Sequence, residues 1–277
     1  MQEISKCKEI IETGGMGMSI PKDLLQLDYL GKDCILHVYR GSISHGTYEP
    51  NKNPLSIDDK DTMACCVLPE EYYLGLREFG SRGTREIKRD EWDIVVYDIK
   101  KLVSLLANGN PNVLSMLWVD DQYIIKQTPA GALLRMHRSY FVGKHVYHAF
   151  TGYAYSQLHR MENCKFEGYM GKKRKQLVNQ FGYDTKNAAH LIRLLRMGIE
   201  FLTDGNLHVN REDAPQLLDI KHGLWSLEKV KAEADTLFKQ TKDAYINSKL
   251  PDKPNMDYIN RLCVDVIKTA WKENETR

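Results

Sequence analysis

The sequence predicts an α+β protein, with a mixed α/β unit over residues 1–130 and a helical unit over residues 131–277. Before residue 130, short runs of β-branched and apolar residues alternate with helix-like runs. After it, almost all of the chain has helical periodicity, interrupted by Gly and Pro. We therefore expect a mixed sheet of about five strands flanked by helices, with the helical unit closing over it.

Three runs predict the strands of the first unit, at 35–39, 62–68 and 92–97. Each combines β-branched, aromatic or aliphatic residues over a length typical of a strand. The segment 47–59 between the first two carries two prolines and two asparagines, which predicts a loop. The segment 80–91 packs four basic residues and two glycines into twelve positions, and we expect it to be a mobile surface loop.

Helices are expected where apolar residues recur every three or four positions between breakers. These segments are 99–107, 139–161, 184–203, 211–220, 226–246 and 256–273. The last one follows a linker that contains Pro251 and Pro254. Its apolar residues predict that it packs back on the body, with dimerisation as the alternative.

Composition and charge limit the kind of partner. The chain has 277 residues, of which 42% are apolar and 27% charged, as in an ordinary globular protein. Lys and Arg (39) nearly balance Asp and Glu (37), which leaves a net charge of +2. A broad positive surface for duplex DNA is therefore not expected, but a local basic groove is compatible with this charge.

Cysteine usage and hydropathy predict the compartment. The six cysteines include the neighbours Cys65 and Cys66 but no CxxC spacing, so we expect buried free thiols in a reducing environment. The N-terminus lacks the apolar core of a signal peptide, and no run approaches the roughly 18 apolar residues of a membrane span. We expect a cytoplasmic protein with no membrane partner, and we find no strong signal for a protein partner.

The first candidate site residues are Gly41 and Ser42, at the end of the first predicted strand. Glycine lets the backbone approach a ligand closely, and the following hydroxyl and amides can hold a phosphate. An ordinary turn is the alternative for a Gly-Ser pair.

Three aspartates are the second group of candidates. Asp59 and Asp61 stand two residues apart, so on an extended chain they project from one face. Two carboxylates that close repel unless a cation lies between them, and a pair of Mg²⁺ ions is the usual remedy in phosphoryl transfer. Asp93 lies in an otherwise apolar strand, where a carboxylate is costly unless it is paired or metal-bound. Solvated acids are the alternative for all three, and Asp58 makes the choice of the first acid ambiguous.

A strand that ends in Gly-Ser, an Asp-x-Asp that enters a strand and an Asp in a later strand resemble the DNA polymerase β-like nucleotidyltransferases. The chain is similar to their RNA-repair-pathway branch, the RNA-ligase-associated proteins common in bacteriophages. The similarity spans about 40–240 and rests on five stretches. They are RGSISHGTYEP (40–50), DDKDTMACCVLPEEYYLGL (58–76), DIVVYDIKKLVSLLANGNPNVLSML (93–117), FTGYAYSQLHRM (150–161) and GYDTKNAAHLIRLLRMGIEFL (182–202). Two departures are a longer loop between Gly46 and Asp59 and a Met63-Ala64 pair where Arg-Gly is common.

The resemblance implies a function and a set of roles. Asp59 and Asp61 would bind two Mg²⁺ ions, for which Mn²⁺ can substitute, and Asp93 would bind the second ion and help ionise an acceptor hydroxyl. Gly41 and Ser42 would hold the β- and γ-phosphates of a nucleoside triphosphate, and pyrophosphate would leave. RNA is the acceptor that the family context favours, in the host cytoplasm if the source is a bacteriophage.

Two basic stripes extend the expected nucleotide site into the helical unit. Lys186, His190 and Arg193 fall on one band of a helix whose other surface is nearly all apolar, and Asp184 is its expected N-cap. We expect this band to face the triphosphate. The second stripe carries Lys144 and His148. A narrow solvated face is the alternative for both.

Weaker candidates complete the set. Lys172 and Lys173 begin a basic run, with Arg174 and Lys175, that predicts contact with the triphosphate or a nucleic-acid backbone, or else a solvated surface. Arg135 and Arg138 are weaker still, and His45 either touches substrate or forms a hydrogen bond within its loop. The glycines at positions 14, 15 and 17 lack a phosphate-loop pattern and predict a turn.

Nucleotidyl transfer to an acceptor hydroxyl, with RNA favoured, is thus the leading hypothesis from the sequence. Transfer to a protein or a small molecule, as in AMPylation, is the rival within the enzyme class. A non-catalytic nucleotide- or RNA-binding module with the same fold is the rival from another class.

Overall fold

The computed structural model describes residues 20–50, 58–162 and 172–276, except the side chains of Lys172 and Lys173. The predicted turn at residues 14–17 and most of the predicted loop 47–59 lie outside the described residues.

Five strands form one mixed sheet in the order β3-β4-β2-β1-β5. The strands are β1 (Cys34–Tyr39), β2 (Lys60–Cys66), β3 (Thr84–Arg89), β4 (Trp92–Asp98) and β5 (Ile124–Gln127). Neighbouring strands β2 and β4 run parallel, and the other three pairs are antiparallel. The predicted sheet of about five strands is confirmed.

Two of the described helices lie between β4 and β5 in the chain, and the others come after β5. They are α1 (Ile99–Ala107), α2 (Pro111–Trp118), α3 (Pro129–Met136), α4 (Val146–Glu162), α5 (Lys172–Phe181), α6 (Thr185–Asp204), α7 (Ala214–Lys221), α8 (Leu227–Asn247) and α9 (Met256–Glu275). Six were expected from the sequence, and α4 begins seven residues later than predicted. The helices α2, α3 and α5 were not expected.

One element of the sequence prediction is wrong. The segment 80–91, expected to be a mobile loop, contains strand β3 and the turn into β4. The strand is highly charged because it lies at the edge of the sheet, where most of its side chains remain exposed. Charged residues on an edge strand discourage pairing with other chains, and the same charges hide the strand from a hydropathy reading.

The hydrophobic core is continuous across both halves of the chain. The apolar face of α6 supplies Leu191, Leu194 and Leu195, all with no exposed surface, to the same core as the sheet residues. The expected return of α9 to the body is confirmed, since Trp271 Nε1 donates to the carbonyl of Leu68 at 2.9 Å. The division near residue 130 stays a prediction, because the packing itself has no break there.

Within the described ranges, the helices are too short or too polar for any of them to traverse a lipid bilayer.

Candidate active site

Two aspartates face the same way from neighbouring strands. Asp61 in β2 and Asp93 in β4 are direct partners in the parallel ladder. Paired residues of adjacent strands point to the same face of a sheet. The backbone register therefore brings together two of the three acids that the sequence singles out, although they stand 32 residues apart.

Arg40 bridges the two carboxylates. Its Nη2 atom lies 3.5 Å from Asp61 Oδ1 and 3.6 Å from Asp93 Oδ1. The end of β1 holds Arg40 in place, since its amide donates to the carbonyl of Asp61 at 3.0 Å. On the other side of Asp93, Lys88 Nζ lies 3.7 Å from Oδ2. One cation thus lies between the acids and another lies at the outer rim.

Burial dominates the ionisation of Asp61. It raises the pKa of Asp61 to about 6, against the opposing effect of Arg40 and Lys186 and with the help of the negative charges of Asp93 and Asp59. A carboxyl group whose pKa is raised in this way has too little positive charge around it to offset burial. The acid pair is therefore an environment that favours an additional cation.

The predicted Gly-Ser turn lies directly against these acids. Gly41 has φ +64°, and a Cβ atom built on it would lie 2.8 Å from Asp61 Oδ2. A side chain here would strain the backbone and push the carboxylate away. The turn closes through His45 N to the carbonyl of Gly41 (3.1 Å) and Thr47 N to that of Ser42 (2.9 Å). The amides at the start of such a turn have no i−4 carbonyl, so with the Ser42 hydroxyl they can bind an anion.

The third acid stands apart. Asp59 is exposed, at the residue before β2 begins, and its charge acts on Asp61 without a direct contact. Among the residues with described placement, no three side chains of His, Cys, Asp or Glu converge as a ready metal site. The structure thus forms a pair of acids around one cation, and the predicted three-acid cluster is not assembled.

A cavity of about 230 Å³ opens between this face of the sheet and the helical half. The turn 41–42, the N-terminus of α2 and one side of α6 form its walls. Its ionisable side chains are four cations, two carboxylates and two histidines, namely Arg40, Lys186, Arg193, Lys221, Asp58, Asp61, His45 and His190. The excess of cationic groups makes it an anion site.

The predicted α6 stripe is confirmed as part of this cavity. Lys186, His190 and Arg193 all line it, and Asp184 caps the helix by accepting from Asn187 N at 3.1 Å. Burial, followed by the charge of Arg193, holds the pKa of His190 well below its usual range. No described residue forms a hydrogen bond with the buried His190 Nε2 atom. His190 is therefore neutral, with one ring nitrogen available to a ligand.

Arg193 is a buried cation without a carboxylate partner among the described residues. It is 9% exposed, and its Nη1 atom donates to the Sδ atom of Met197 at 3.0 Å. Burial, together with the charge of Arg211, lowers the pKa of Arg193 to about 9. Burying an uncompensated charge is expensive, so the position calls for an anion.

The neighbouring arginines, in contrast to Arg193, are paired with carboxylates. Arg196 pairs with Asp213 and Glu233, both at 2.8 Å. Arg211 binds the carboxylate of Glu200 with two nitrogens and Asp213 with a third. These two arginines are structural, whereas Arg193 faces the cavity.

Asp58, the ambiguous acid of the sequence, has a structural role. It is 2% exposed and accepts from Lys221 Nζ and from the amide of Glu49 (3.1 Å). Lys186 Nζ lies 3.7 Å from its other oxygen. Lys221 also lies 3.3 Å from Glu49, which His222 contacts at 2.9 Å. This network fastens the segment before β2 to the helical half.

Two residues that the sequence assigned to the nucleotide lie elsewhere. Lys144 pairs with Asp252 at 2.8 Å, and the exposed His148 ring lies against Tyr147 and Tyr245. Neither lines the cavity. Lys144 precedes α4 and His148 lies in its first turn, so the expectation that they form a helical stripe facing the cleft is corrected.

The remaining candidates have mixed outcomes. The side chains of Lys172 and Lys173 lie outside the described part of the chain. His45 is buried in the cavity wall, with Nδ1 2.8 Å from the carbonyl of Val209. Arg135 and Arg138 are structural, since they donate to the carbonyls of Val119 and Leu117.

Sequence reasoning missed Arg40 and Lys221. Arg40 directly precedes the Gly-Ser pair, and that position was the available signal. Lys221 follows the buried Leu217 by four residues, which places a lysine on the apolar face of α7. A lysine on such a face requires a buried anion, and here that anion is Asp58.

Similarity to known proteins identifies the family of the chain. No curated protein matches it. Residues 33–265 match the sequence model of one family, which covers both the acid pair and the α6 stripe. The chain belongs to the RNA repair pathway DNA polymerase beta family, RlaP.

Proposed function

We propose that this protein transfers a nucleoside monophosphate from a nucleoside triphosphate to an acceptor hydroxyl on RNA and releases pyrophosphate. Family membership indicates nucleotidyl transfer in RNA repair. The donor, the acceptor and the ions are our assignments from the site.

The observation that carries the proposal is the buried Arg193 beside the Gly41-Ser42 turn. Arg193, Lys186 and the orphan nitrogen of His190 face one cavity with that turn. The cationic side chains of α6 lie across the cavity from the amides of this turn, so both sides can bind phosphate oxygens. Guanidinium groups bind phosphates through charge-assisted hydrogen bonds. On the sheet side, Asp61 in the opposite wall and Asp93 beyond it already enclose the cation of Arg40.

The acid pair fits a divalent cation. Asp61 and Asp93 are oxygen donors of the kind that Mg²⁺ prefers, they hold Arg40 in common, and the raised pKa of Asp61 marks a shortage of positive charge. We assign Asp61 and Asp93 as the primary ligands, with Asp59 joining from its exposed position. Mg²⁺, or Mn²⁺ in its place, would neutralise charge on the triphosphate, and a second ion is part of the proposal.

Each group of residues has its own role in the proposed transfer reaction. Gly41 and Ser42 hold the terminal phosphates, while Lys186, His190 and Arg193 neutralise and orient the phosphate chain. The acceptor oxygen bonds to the α-phosphorus as the bond from that phosphorus to its bridging oxygen breaks, and pyrophosphate leaves with the electron pair. The hydroxyl proton passes to a carboxylate oxygen of Asp93. Positioning and charge neutralisation supply most of the catalysis.

The test is transfer of label from α-labelled nucleotides to single-stranded RNA in the presence of Mg²⁺. Wild type should label the RNA and release pyrophosphate, and the double variant Asp59→Ala/Asp61→Ala should not. Equal transfer by both proteins contradicts the mechanism. Label that moves with protein on a denaturing gel identifies a protein acceptor, and nucleotide binding without turnover identifies a binding module.

A further inference from the structure

The acid pair has two sides, and the cavity occupies only one of them. Arg40 and Asp61 line the cavity, whereas Asp93 lies beyond Arg40 and is not part of its wall. A donor nucleotide in the cavity therefore meets the acids from the Asp61 side. An acceptor hydroxyl that approaches the same acids has to come from the Asp93 side.

The outer side is a continuous strip of strands β3 and β4. The ladder pairs Lys88 with Asp93 and Thr84 with Tyr97, and directly paired residues share a face. Tyr97 is therefore on the face of the acids, two positions along β4 beyond Val95. The strip ends at the edge of the sheet, because β3 is its outermost strand.

Lys88 is the cation of this strip. Its side chain is 74% exposed while its Nζ lies 3.7 Å from Asp93 Oδ2. Structural ion pairs of this chain, such as that of Lys221, are buried, and an exposed pair contributes little to stability. Lys88 is thus free to exchange its contact with Asp93 for a phosphate of an incoming chain.

Tyr97 supplies an aromatic ring farther along the same face, four residues beyond Asp93. It is only partly buried, and Arg40, Tyr153 and Glu86 are close enough to act on its ionisation. Tyr153 is held by Asn110, whose Nδ2 atom donates to its hydroxyl at 2.9 Å. A cation and an aromatic ring on one face of a sheet are the two kinds of group that bind single-stranded nucleic acid.

The charges along β3 also determine where a phosphate of the nucleic acid can bind. Glu86 lies opposite Val95, between Lys88 and Thr84, and its carboxylate repels a phosphate. A phosphate on this strip is therefore expected at Lys88 and not farther from the acids, which leaves the base beyond it near Tyr97.

We propose that Lys88 and Tyr97 form the acceptor site for the hydroxyl-bearing end of a single-stranded RNA, with one phosphate on Lys88 and a base against Tyr97. This inference rests on the proposed function, and it assigns the partner and its direction of approach. It makes Lys88 a positioning residue for the acceptor, with no part in nucleotide binding.

The test measures binding and transfer separately. Binding of a fluorescent single-stranded oligoribonucleotide is followed by anisotropy across a KCl series, for wild type and for Lys88→Ala, Lys88→Arg and Tyr97→Leu. Lys268→Ala is the matched control, because Lys268 is an exposed lysine on α9. The KM values for nucleotide and for RNA are measured on the same proteins.

The proposal predicts a distinct signature for each variant. Lys88→Ala should weaken RNA binding by roughly fivefold and reduce the slope of log K against log salt by about 0.7, the value for one phosphate of a single strand. Lys88→Arg should restore both. Tyr97→Leu should weaken binding by roughly fivefold with the slope unchanged, because stacking does not release counterions. The KM for nucleotide should not change in the Lys88 variants.

Failure of this proposal is distinguishable from failure of the proposed function. If wild type labels RNA but Lys88→Ala keeps the wild-type slope and KM for RNA, the acceptor site is overturned while the function stands. If the slope falls as predicted but no protein labels RNA, the surface stands and the function is overturned. If label moves only to protein, an RNA acceptor site is contradicted.

Discussion

The two walls of the cavity obtain their charge in opposite ways. On the sheet, Asp61 lines the cavity and Asp93 lies just beyond it, and the backbone ladder fixes both around the cation of Arg40. On α6, Arg193 is fixed by burial and has no carboxylate partner among the described residues. One wall is a set of anions that already binds a cation, and the other is a cation that lacks an anion.

Burial acts on both walls, with opposite signs of pKa shift. It raises the pKa of Asp61 to about 6 and lowers that of Arg193 to about 9. Burial disfavours the charged form of any group, so each wall is less stable than it would be with its ligand. The acids lack a cation and Arg193 lacks an anion. A triphosphate bound together with a metal cation would supply both missing charges.

The largest effect is expected from the acid wall. Asp61→Asn removes one charge with little change in shape, and transfer to acceptor should fall by roughly 10³-fold, the upper range for loss of one preorganised electrostatic group. Single-turnover label transfer measures this loss, and Asp265→Asn on the surface of α9 is the control. Near-wild-type transfer by Asp61→Asn would remove the acid wall from the mechanism.

The next effect separates a paired buried charge from an unpaired one. Lys221→Met removes the nearest cation from the buried Asp58 carboxylate and leaves Lys186 at 3.7 Å, so the free energy of unfolding should fall by about 3 kcal/mol. Chemical denaturation measures the change, with the exposed Lys175→Met as control. The double variant Asp58→Asn/Lys221→Met should recover most of the loss, and no destabilisation in the single variant would show that the pair does not hold the two halves together.

Substitution of Arg193 should have the reverse pattern. Arg193→Met removes a buried charge that has no carboxylate partner in the described part of the chain, so unfolding in the absence of nucleotide should not become easier. Affinity for a nucleoside triphosphate should fall by about 2 kcal/mol, or roughly 30-fold, through loss of a charge-assisted hydrogen bond. Calorimetry measures the affinity.

Arg196→Met provides the matched control for this prediction. It breaks two carboxylate contacts, so it should destabilise the protein and leave nucleotide affinity closer to wild type. If the two variants exchanged these behaviours, Arg193 would be structural and the anion wall would lie elsewhere.

The last effect is a pH dependence of stability. Because the folded-state pKa of Asp61 is raised from 3.8 to about 6, the folded protein binds this proton more tightly than the unfolded chain. Asp61 therefore costs nothing below pH 3.8, costs increasingly more as the pH rises to about 6, and costs a constant amount above that. At neutral pH, Asp61→Asn should be more stable than wild type by about 3 kcal/mol.

Thermal unfolding of both proteins across this pH range measures the difference. The advantage of the variant should disappear as the pH falls below about 4. A constant difference at every pH would mean that Asp61 ionises normally and that the acids do not lack a cation.

The sequence predicted the elements that depend on local pattern and missed those that depend on tertiary contacts. The basic stripe of α6 follows from the 3.6-residue period and its N-cap from the residue type of Asp184. The meeting of Asp61 with Asp93 depends on strand register, and only the family resemblance implied it. Strand β3 was missed because its residues are charged, and only its place at the sheet edge explains them.

The wrong assignment of Lys144 and His148 and the ambiguity at Asp58 have the same origin. The expected stripe with Lys144 and His148 resembles the α6 stripe in spacing, but only packing decides which one faces the cavity. Asp58 could not be separated from Asp59 by sequence, since its role depends on Lys221, 163 residues away. Long-range pairing of charges is not encoded in local periodicity.

The most direct test of the central claim is a crystal structure with a non-hydrolysable nucleoside triphosphate and Mn²⁺, whose anomalous signal locates the ion. The account predicts the terminal phosphates on the Gly41-Ser42 turn in contact with Arg193, and Mn²⁺ between Asp61 and Asp93. A triphosphate bound away from Arg193, or Mn²⁺ bound away from both aspartates, would contradict it.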